Sequence, residues 1–353
     1  MTSKALINKI DWQVGSRLLA IFFALALLVG SPSTLTTVSA IAAEENGAIE
    51  TVEAAAKTDA KPVAELSEED AIASAQKLPK LVGKPGAGHP LPRPLEDIIA
   101  SKYLSIFVYD NFPPYSYFND KKQLVGVDVE IGIKMAEALG VTPRFFIRDG
   151  DESVDDDLRN NVWKGHYVGG GVADVMMHVP VDNELRKRNT LVVIFGRYYT
   201  ERMSLILDPK VVGNAETLAP FLSSKIGVEL DTLSDFYLSS PSTLGGRIRS
   251  QVVRYRDFSS AMDGLKKQEV AGLMGPRGQV EAAAAATNRK FTVSSPPFPG
   301  MTIPRWDIGM AISHQNRALG YKLGDIILAL RESGELKKIF NKFGLSYYKD
   351  FLD

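Results

Sequence analysis

Arg186 carries the chemistry that is simplest to read. A guanidinium is a planar fork that grips a carboxylate through two parallel hydrogen bonds, fixing orientation as well as charge. Its place in Arg186-Lys187-Arg188 leaves the alternative of a solvated basic patch. Phe112, with Tyr109, Tyr115 and Tyr117 close by, could press ring faces on a ligand through burial or cation–π attraction. Alternate aromatics on a strand and its loop also pack on cores. His178 stands near the end of the apolar run Ala173 to Val179 and is the residue best suited to acid–base work, with Glu229 as a partner. A hydrogen bond to a bound ligand is its plainer role. Asp231 and Thr232 stand where a strand gives way to a helix. Thr232 suits a carboxylate or phosphate held by helix N–H groups, or an ordinary N-cap. Asp231 suits a cationic group or a cap.

Two other clusters carry less. Gly169-Gly170-Gly171 lacks the lysine and following hydroxyl of a P-loop and reads as a turn. The acidic group around Asp149, Asp151, Glu152, Asp155, Asp156 and Asp157 lacks the glycine and terminal glutamate of a calcium loop and reads as a solvated loop entering a helix start. No metal and no cofactor are expected.

The elements that must position these groups alternate in type. Strands are expected at Leu104 to Tyr109, Pro143 to Ile147, Ala173 to Val179 and Met203 to Leu207, with a helix at Asp128 to Leu139, Asp128 as its N-cap and Gly140 as its stop. Beyond them come strands at Lys225 to Leu230, Gln251 to Tyr255 and Val270 to Met274, with helices near Thr232 to Leu238 and Phe258 to Lys267. A returning strand at Trp306 to Ser313 and helices at Gln315 to Ser333 and Glu335 to Phe343 close the chain. Short β-rich runs alternating with amphipathic helices make an α/β fold.

Lys4, Lys9 and Arg17 precede an apolar run from Leu18 to Gly30 and the small-residue stretch Val38 to Ala43. This is the layout of a secretory signal peptide, and the run falls short of the roughly 20 residues that span a bilayer. Residues 1–43 are therefore expected as a leader to the periplasm. Residues 44–98, rich in Ala, Glu, Lys and Pro, are expected as a flexible tether. With no cysteine among 353 residues, stability must come from burial. A net charge of −1 offers no electrostatic case for nucleic acid.

Three ordered segments resemble the bacterial extracellular solute-binding proteins of family 3, the polar amino-acid-binding type. They are Tyr109-Asp110-Asn111-Phe112-Pro113-Pro114-Tyr115-Ser116-Tyr117 followed by Leu124-Val125-Gly126-Val127-Asp128; Ala173 through Arg186; and Ile226-Gly227-Val228 with the terminal Gly334 to Gly344. The resemblance implies a type II periplasmic-binding-protein fold with two lobes joined by two hinge strands. Residues 99–203 and 308–353 would form one lobe, and 204–307 the other. It implies a monomeric, non-catalytic receptor that closes over a small ligand and serves an ABC permease. Arg186 would hold a ligand carboxylate and Phe112 would be an aromatic platform.

The chain departs from that pattern in two places. His178, Val179 and Pro180 replace the small hydroxyl residues that usually complete the carboxylate cage, and Gly275-Pro276-Arg277-Gly278 stands where an acid usually meets the ligand's amino group. Gaining Arg277 for an acid points to an anionic solute. The Gly-Pro segment and Trp306 to Ile312 resemble the subgroup associated with periplasmic quinoprotein dehydrogenases, the methanol-oxidation accessory proteins. That likeness implies a dehydrogenase partner or its quinone cofactor as ligand. A dehydratase-like enzyme on the same fold is the further alternative.

Overall fold

The computed structural model describes residues 88–348; the expected leader and most of the expected tether lie outside the described residues. The first part runs α1 (Leu95–Ser101), β1 (Tyr103–Tyr109), the hairpin β2 (Tyr117–Phe118) and β3 (Leu124–Val125), α2 (Val127–Ala138), β4 (Thr142–Arg148) and α3 (Val154–Leu158). It continues through β5 (Val175–Pro180) and α4 (Asn183–Arg188) into β6 (Val192–Leu207). A second part holds α5 (Pro209–Val212), β7 (Ile226–Glu229), α6 (Leu233–Ser239), β8 (Val252–Tyr255), α7 (Phe258–Lys266), β9 (Gly272–Pro276), α8 (Arg277–Ala285) and β10 (Thr292–Ser294). The chain then returns through β11 (Arg305–Ser313) to α9 (Arg317–Glu332) and α10 (Glu335–Lys342).

The main sheet has the order β4-β1-β5-β11-β6-β9-β7-β8, with β10 beside β6. β1 is parallel to both β4 and β5, and β7 is parallel to β8 and β9, so each end of the path is a small parallel α/β unit. Period-2 alternation sends neighbouring residues to opposite faces. Ile106 and Val108 join Met135, Leu323 and Phe340 on one side, while Phe107 and Tyr109 join Phe146 and Met176 on the other. The second unit repeats this scheme. Leu205 and Leu207 pack with Phe221 and Val228, and Ile206 packs with Leu265 and Val280. Two pairs of core layers, one per unit, make a two-lobed α/β molecule.

β6 is the element most underestimated by local pattern. Only Met203 to Leu207 reads as strand from sequence, because Gly196, Arg197, Thr200, Glu201 and Arg202 interrupt the apolar run. The strand is continuous over 16 residues because its partners are supplied from far away. Val192 to Arg202 pairs with β11, and Met203 to Leu207 pairs with β9. One strand thus crosses from one unit to the other.

Residues 88–98, read from sequence as the end of the tether, are docked. The His89 N–H donates to Val172 O at 2.8 Å, Arg93 Nη2 lies 2.5 Å from Asp174 Oδ2, and α1 begins at Leu95. The glycine run joins this dock, with Gly170 O accepting from Gly88 N–H at 2.9 Å.

Candidate functional site

The site is built outward from His178, near the end of β5. Its backbone has φ 60°, left-handed for a non-glycine residue, which costs on the order of 1 kcal/mol and needs surrounding contacts to hold it. Those contacts are present. The His178 N–H donates to Tyr198 Oη at 3.1 Å, and Nδ1 lies 3.0 Å from Asp128 Oδ2. The Tyr198 hydroxyl donates to Asp128 Oδ1 at 2.6 Å. A carboxylate only accepts, so Nδ1 carries the proton in this pair, and Nε2 is the acceptor of the neutral ring. Nε2 has no hydrogen-bond partner among the described residues. Burial of Tyr198, with Asp128 beside it, holds the phenol well above its ordinary pKa.

Asp128 is buried to 1% exposure in the first turn of α2, and it is not the N-cap expected from sequence. Gly126 takes that place with φ 137°. A Cβ there would fall 2.1 Å from Tyr115 O, so the loop closes against the helix only over glycine. The Asp128 N–H then donates to Tyr115 O at 3.0 Å. This fixes the loop that carries the aromatic wall. The His178 ring is 4.2 Å from that of Tyr115 and 4.8 Å, edge-on, from that of Phe112.

Tyr115 leads to the crossing strand. Its hydroxyl donates to Glu201 Oε2. Glu201 also accepts from Arg202 N–H at 2.9 Å and from Gly278 N–H at 3.3 Å. Burial pushes the Glu201 carboxyl above the usual carboxylate range, against the pull of those donors. Gly278 is required by close approach, since a Cβ would lie 2.0 Å from Tyr115 Oη.

The opposite wall comes from the second unit. Glu229 ends β7 with 5% exposure. Thr232 is the N-cap of α6, accepting from Asp235 N–H and donating to Glu229 O at 2.7 Å. Leu233 and Ser234 follow it along the wall. Together these groups line a partly open cavity of about 100 Å³, with Met203 and Trp306 from the two crossing strands, and Pro276 and Gln279 beside them. Among the described residues no Lys or Arg lines this space, and its carboxylates are those of Glu201 and Glu229.

Five residues singled out from sequence, Phe112, Tyr115, His178, Glu229 and Thr232, meet at this cavity. Arg186, Arg277 and Asp231 do not line it, nor do Tyr109 and Tyr117. Arg186 is exposed on α4, donating from Nε to Ile194 O and from Nη1 to Asn183 Oδ1, each at 3.2 Å. Arg277 is buried to 1% exposure but turns to the crossing strand, where Nε donates to Tyr199 Oη at 3.3 Å and Nη2 to Thr200 O at 3.1 Å. Its Nε also lies 3.8 Å from Glu281 Oε1. Asp231, with φ 61°, donates its N–H to Asp235 Oδ2 at 3.3 Å. The acidic cluster becomes a partly buried network in which Asp157 accepts from Tyr109 OH and Asp151 N–H, each at 2.8 Å. Burial raises the Asp157 carboxyl to about 7. Among the described residues no group of three or more side chains could hold a metal.

Glu201, Asp128 and Tyr198 were not legible as site residues. Glu201 and Trp306 face each other across the β6–β11 register, a pairing over more than a hundred residues that no local signal announces.

No protein-family model matches the chain, and no curated protein sequence matches it. Solved structures do. An ancestral cationic amino-acid solute-binding protein aligns over 71% of this chain and 99% of its own, at 16% identity and TM-score 0.56. Substrate-binding domain 2 of Lactococcus lactis GlnP, in an open conformation, aligns over 69% and 95% at 19% identity and TM-score 0.52. An amino-acid ABC transporter substrate-binding protein from Streptococcus pneumoniae, bound to L-arginine, aligns over 72% and 99% at 16% identity and TM-score 0.51. At such identities the likeness establishes the fold, the two-lobed type II architecture of periplasmic binding proteins.

Proposed function

We propose that the chain is an exported solute-binding protein of family 3 whose lobes, 99–203 with 308–353 and 204–307, close over a small ligand and deliver it to an ABC permease. The observation that carries this reading is the cavity itself. Residues from both units and from the strands joining them line one cleft, which is where a two-lobed binder holds its solute. The likeness to binding proteins of this fold supports it. A quinone polycarboxylate fits poorly, because no Lys or Arg is among the described residues of the lining and the volume of about 100 Å³ is below the roughly 300–1,000 Å³ of drug-sized pockets.

A thermal-shift screen of amino acids, amines, dicarboxylates and sugars tests the proposal. Saturating cognate solute raises the melting temperature according to concentration over Kd, and His178→Ala removes the rise. If no solute raises it while a larger periplasmic enzyme co-purifies, an accessory role replaces this reading.

The His178–Asp128 pair supports a second reading, a proton-transferring enzyme on the same fold. An imidazole fixed by a buried carboxylate with Nε2 unbonded is suited to act as a base. Turnover that is abolished in His178→Gln while solute affinity persists would establish it.

A further inference from the structure

α9 lies over the first half of β6 and leaves a groove of about 480 Å³ between them. We infer that this groove is a second binding site, for a medium-chain carboxylate: an anion on an unbranched apolar tail. It lies on the first lobe alone, so it goes beyond the cleft and does not depend on the solute held there.

The floor is apolar. Val193 and Phe195 pack toward α9 with Ile312 and Ile327, and Phe195 is half-buried. Two glycines of the helix decide the gap. At Gly320 a Cβ would fall 2.7 Å from Ile312 Cδ1, so helix and strand touch; at Gly324, one turn on, its nearest neighbour would be Phe195 Cδ2 at 3.9 Å. The ring is therefore left open beside Gly324. Tyr321 and Leu328, 72% and 48% exposed, form the rim. From Arg317 to Arg331 the helix rises about 21 Å, at roughly 1.5 Å per residue, so the trough is long. Its volume falls within the roughly 300–1,000 Å³ of small-molecule sites. An extended chain fits this shape better than a compact ring.

The ends are cationic. Arg331 is in the last turn of α9, where its Nη2 donates to Arg197 O and its Nε is buried without a hydrogen-bond partner among the described residues. Arg197 stands beside it, its Nη1 3.0 Å from Asp307 Oδ2, and Arg317 also lines the groove, from the first turn of the helix. The carboxylate in the described lining is that of Asp325, which is exposed and screened by solvent. A guanidinium tied to a backbone oxygen holds its other donors in a fixed place, and a carboxylate matches that planar fork. Burial of the tail along Phe195 and Leu328 then favours longer chains.

Titration calorimetry on the full chain with acetate, hexanoate, octanoate and neutral octanol tests this. Octanoate is expected to bind one-to-one, hexanoate roughly tenfold more weakly for its two missing methylenes, and acetate and octanol more weakly still. Arg331→Gln is expected to lower octanoate affinity at least about tenfold, by loss of the charged fork. Gly324→Leu places an apolar side chain against Phe195, in a residue that favours helix more than glycine does, and is expected to abolish binding. His178→Ala, in the cleft, is expected to leave octanoate affinity unchanged. The proposal falls if octanoate does not bind, if octanol binds as tightly, or if Arg331→Gln and Gly324→Leu both leave the affinity as it was. Octanoate binding lost in His178→Ala and kept in Gly324→Leu would move the ligand to the cleft, overturning the groove site while the solute-binding reading stands.

Discussion

The two walls of the cavity are built differently. On the first lobe, His178, Tyr115 and Phe112 are locked by Asp128, by Tyr198 and by one another, through buried hydrogen bonds and ring contacts. On the second lobe, Glu229 and Thr232 sit at the junction of a four-residue strand and a seven-residue helix. Thr232 does little there beyond capping. The first wall is preorganised by these contacts; the second rests on a short strand and a helix start. Preorganisation on one side limits the ordering cost of binding to the other side.

The sharpest way to break this contrast is to remove the first wall's anchor. Asp128→Ala leaves the Tyr198 hydroxyl and His178 Nδ1 buried without an acceptor. It is expected to cost about 3–5 kcal/mol in urea denaturation. A loss under 1 kcal/mol would mean that the wall is not locked by Asp128.

Next comes Asp157, which supports the same wall from behind through Tyr109, whose ring is 5.9 Å from that of Phe112. The folded protein raises this carboxyl from 3.8 to about 7. Between those values the native state holds a proton that the unfolded chain releases. The group's effect on stability therefore becomes less favourable as pH rises from about 4 to about 7, and is fully unfavourable above that. At about 1.4 kcal/mol per unit the total is at most about 4 kcal/mol. Asp157→Asn is expected to flatten that slope in stability-against-pH curves; an unchanged slope would remove Asp157 from the account.

Thr232→Ala removes only an N-cap, with an expected loss of about 1 kcal/mol. A loss as large as that of Asp128→Ala would erase the difference between the walls. Arg186→Ala is expected to be smallest, within about 0.5 kcal/mol in stability and without effect on solute affinity. Lost affinity would return Arg186 to the ligand site.

Much of the fold was legible before the structure. Short, mostly apolar runs mark β1 and β5, and Ile226-Gly227-Val228 marks β7. The site was legible in its aromatic half, because Phe112 and Tyr115 occupy a loop whose Pro-Pro and Gly126 markers are local. Charge was not. Arg186 keeps its spacing from Asp174, yet whether a side chain on a six-residue helix turns into the cleft depends on how that helix packs. Glu201 enters the site through a register with β11 that only the folded sheet creates. Asp128 looked like a cap because a polar residue at a helix start is usually solvated; its acceptor role depends on His178, 50 residues away.

The central claim is that solute is held between the lobes. The chain has no cysteine, so Lys187→Cys and Lys266→Cys, at exposed positions on the first and second lobes, give a uniquely spin-labelled pair. Electron–electron resonance distances between the labels, measured with and without a solute that calorimetry shows to bind, test the claim directly. Saturating solute is predicted to shift the distribution to one narrower population. An unchanged distribution with solute bound would contradict closure of the lobes over the ligand.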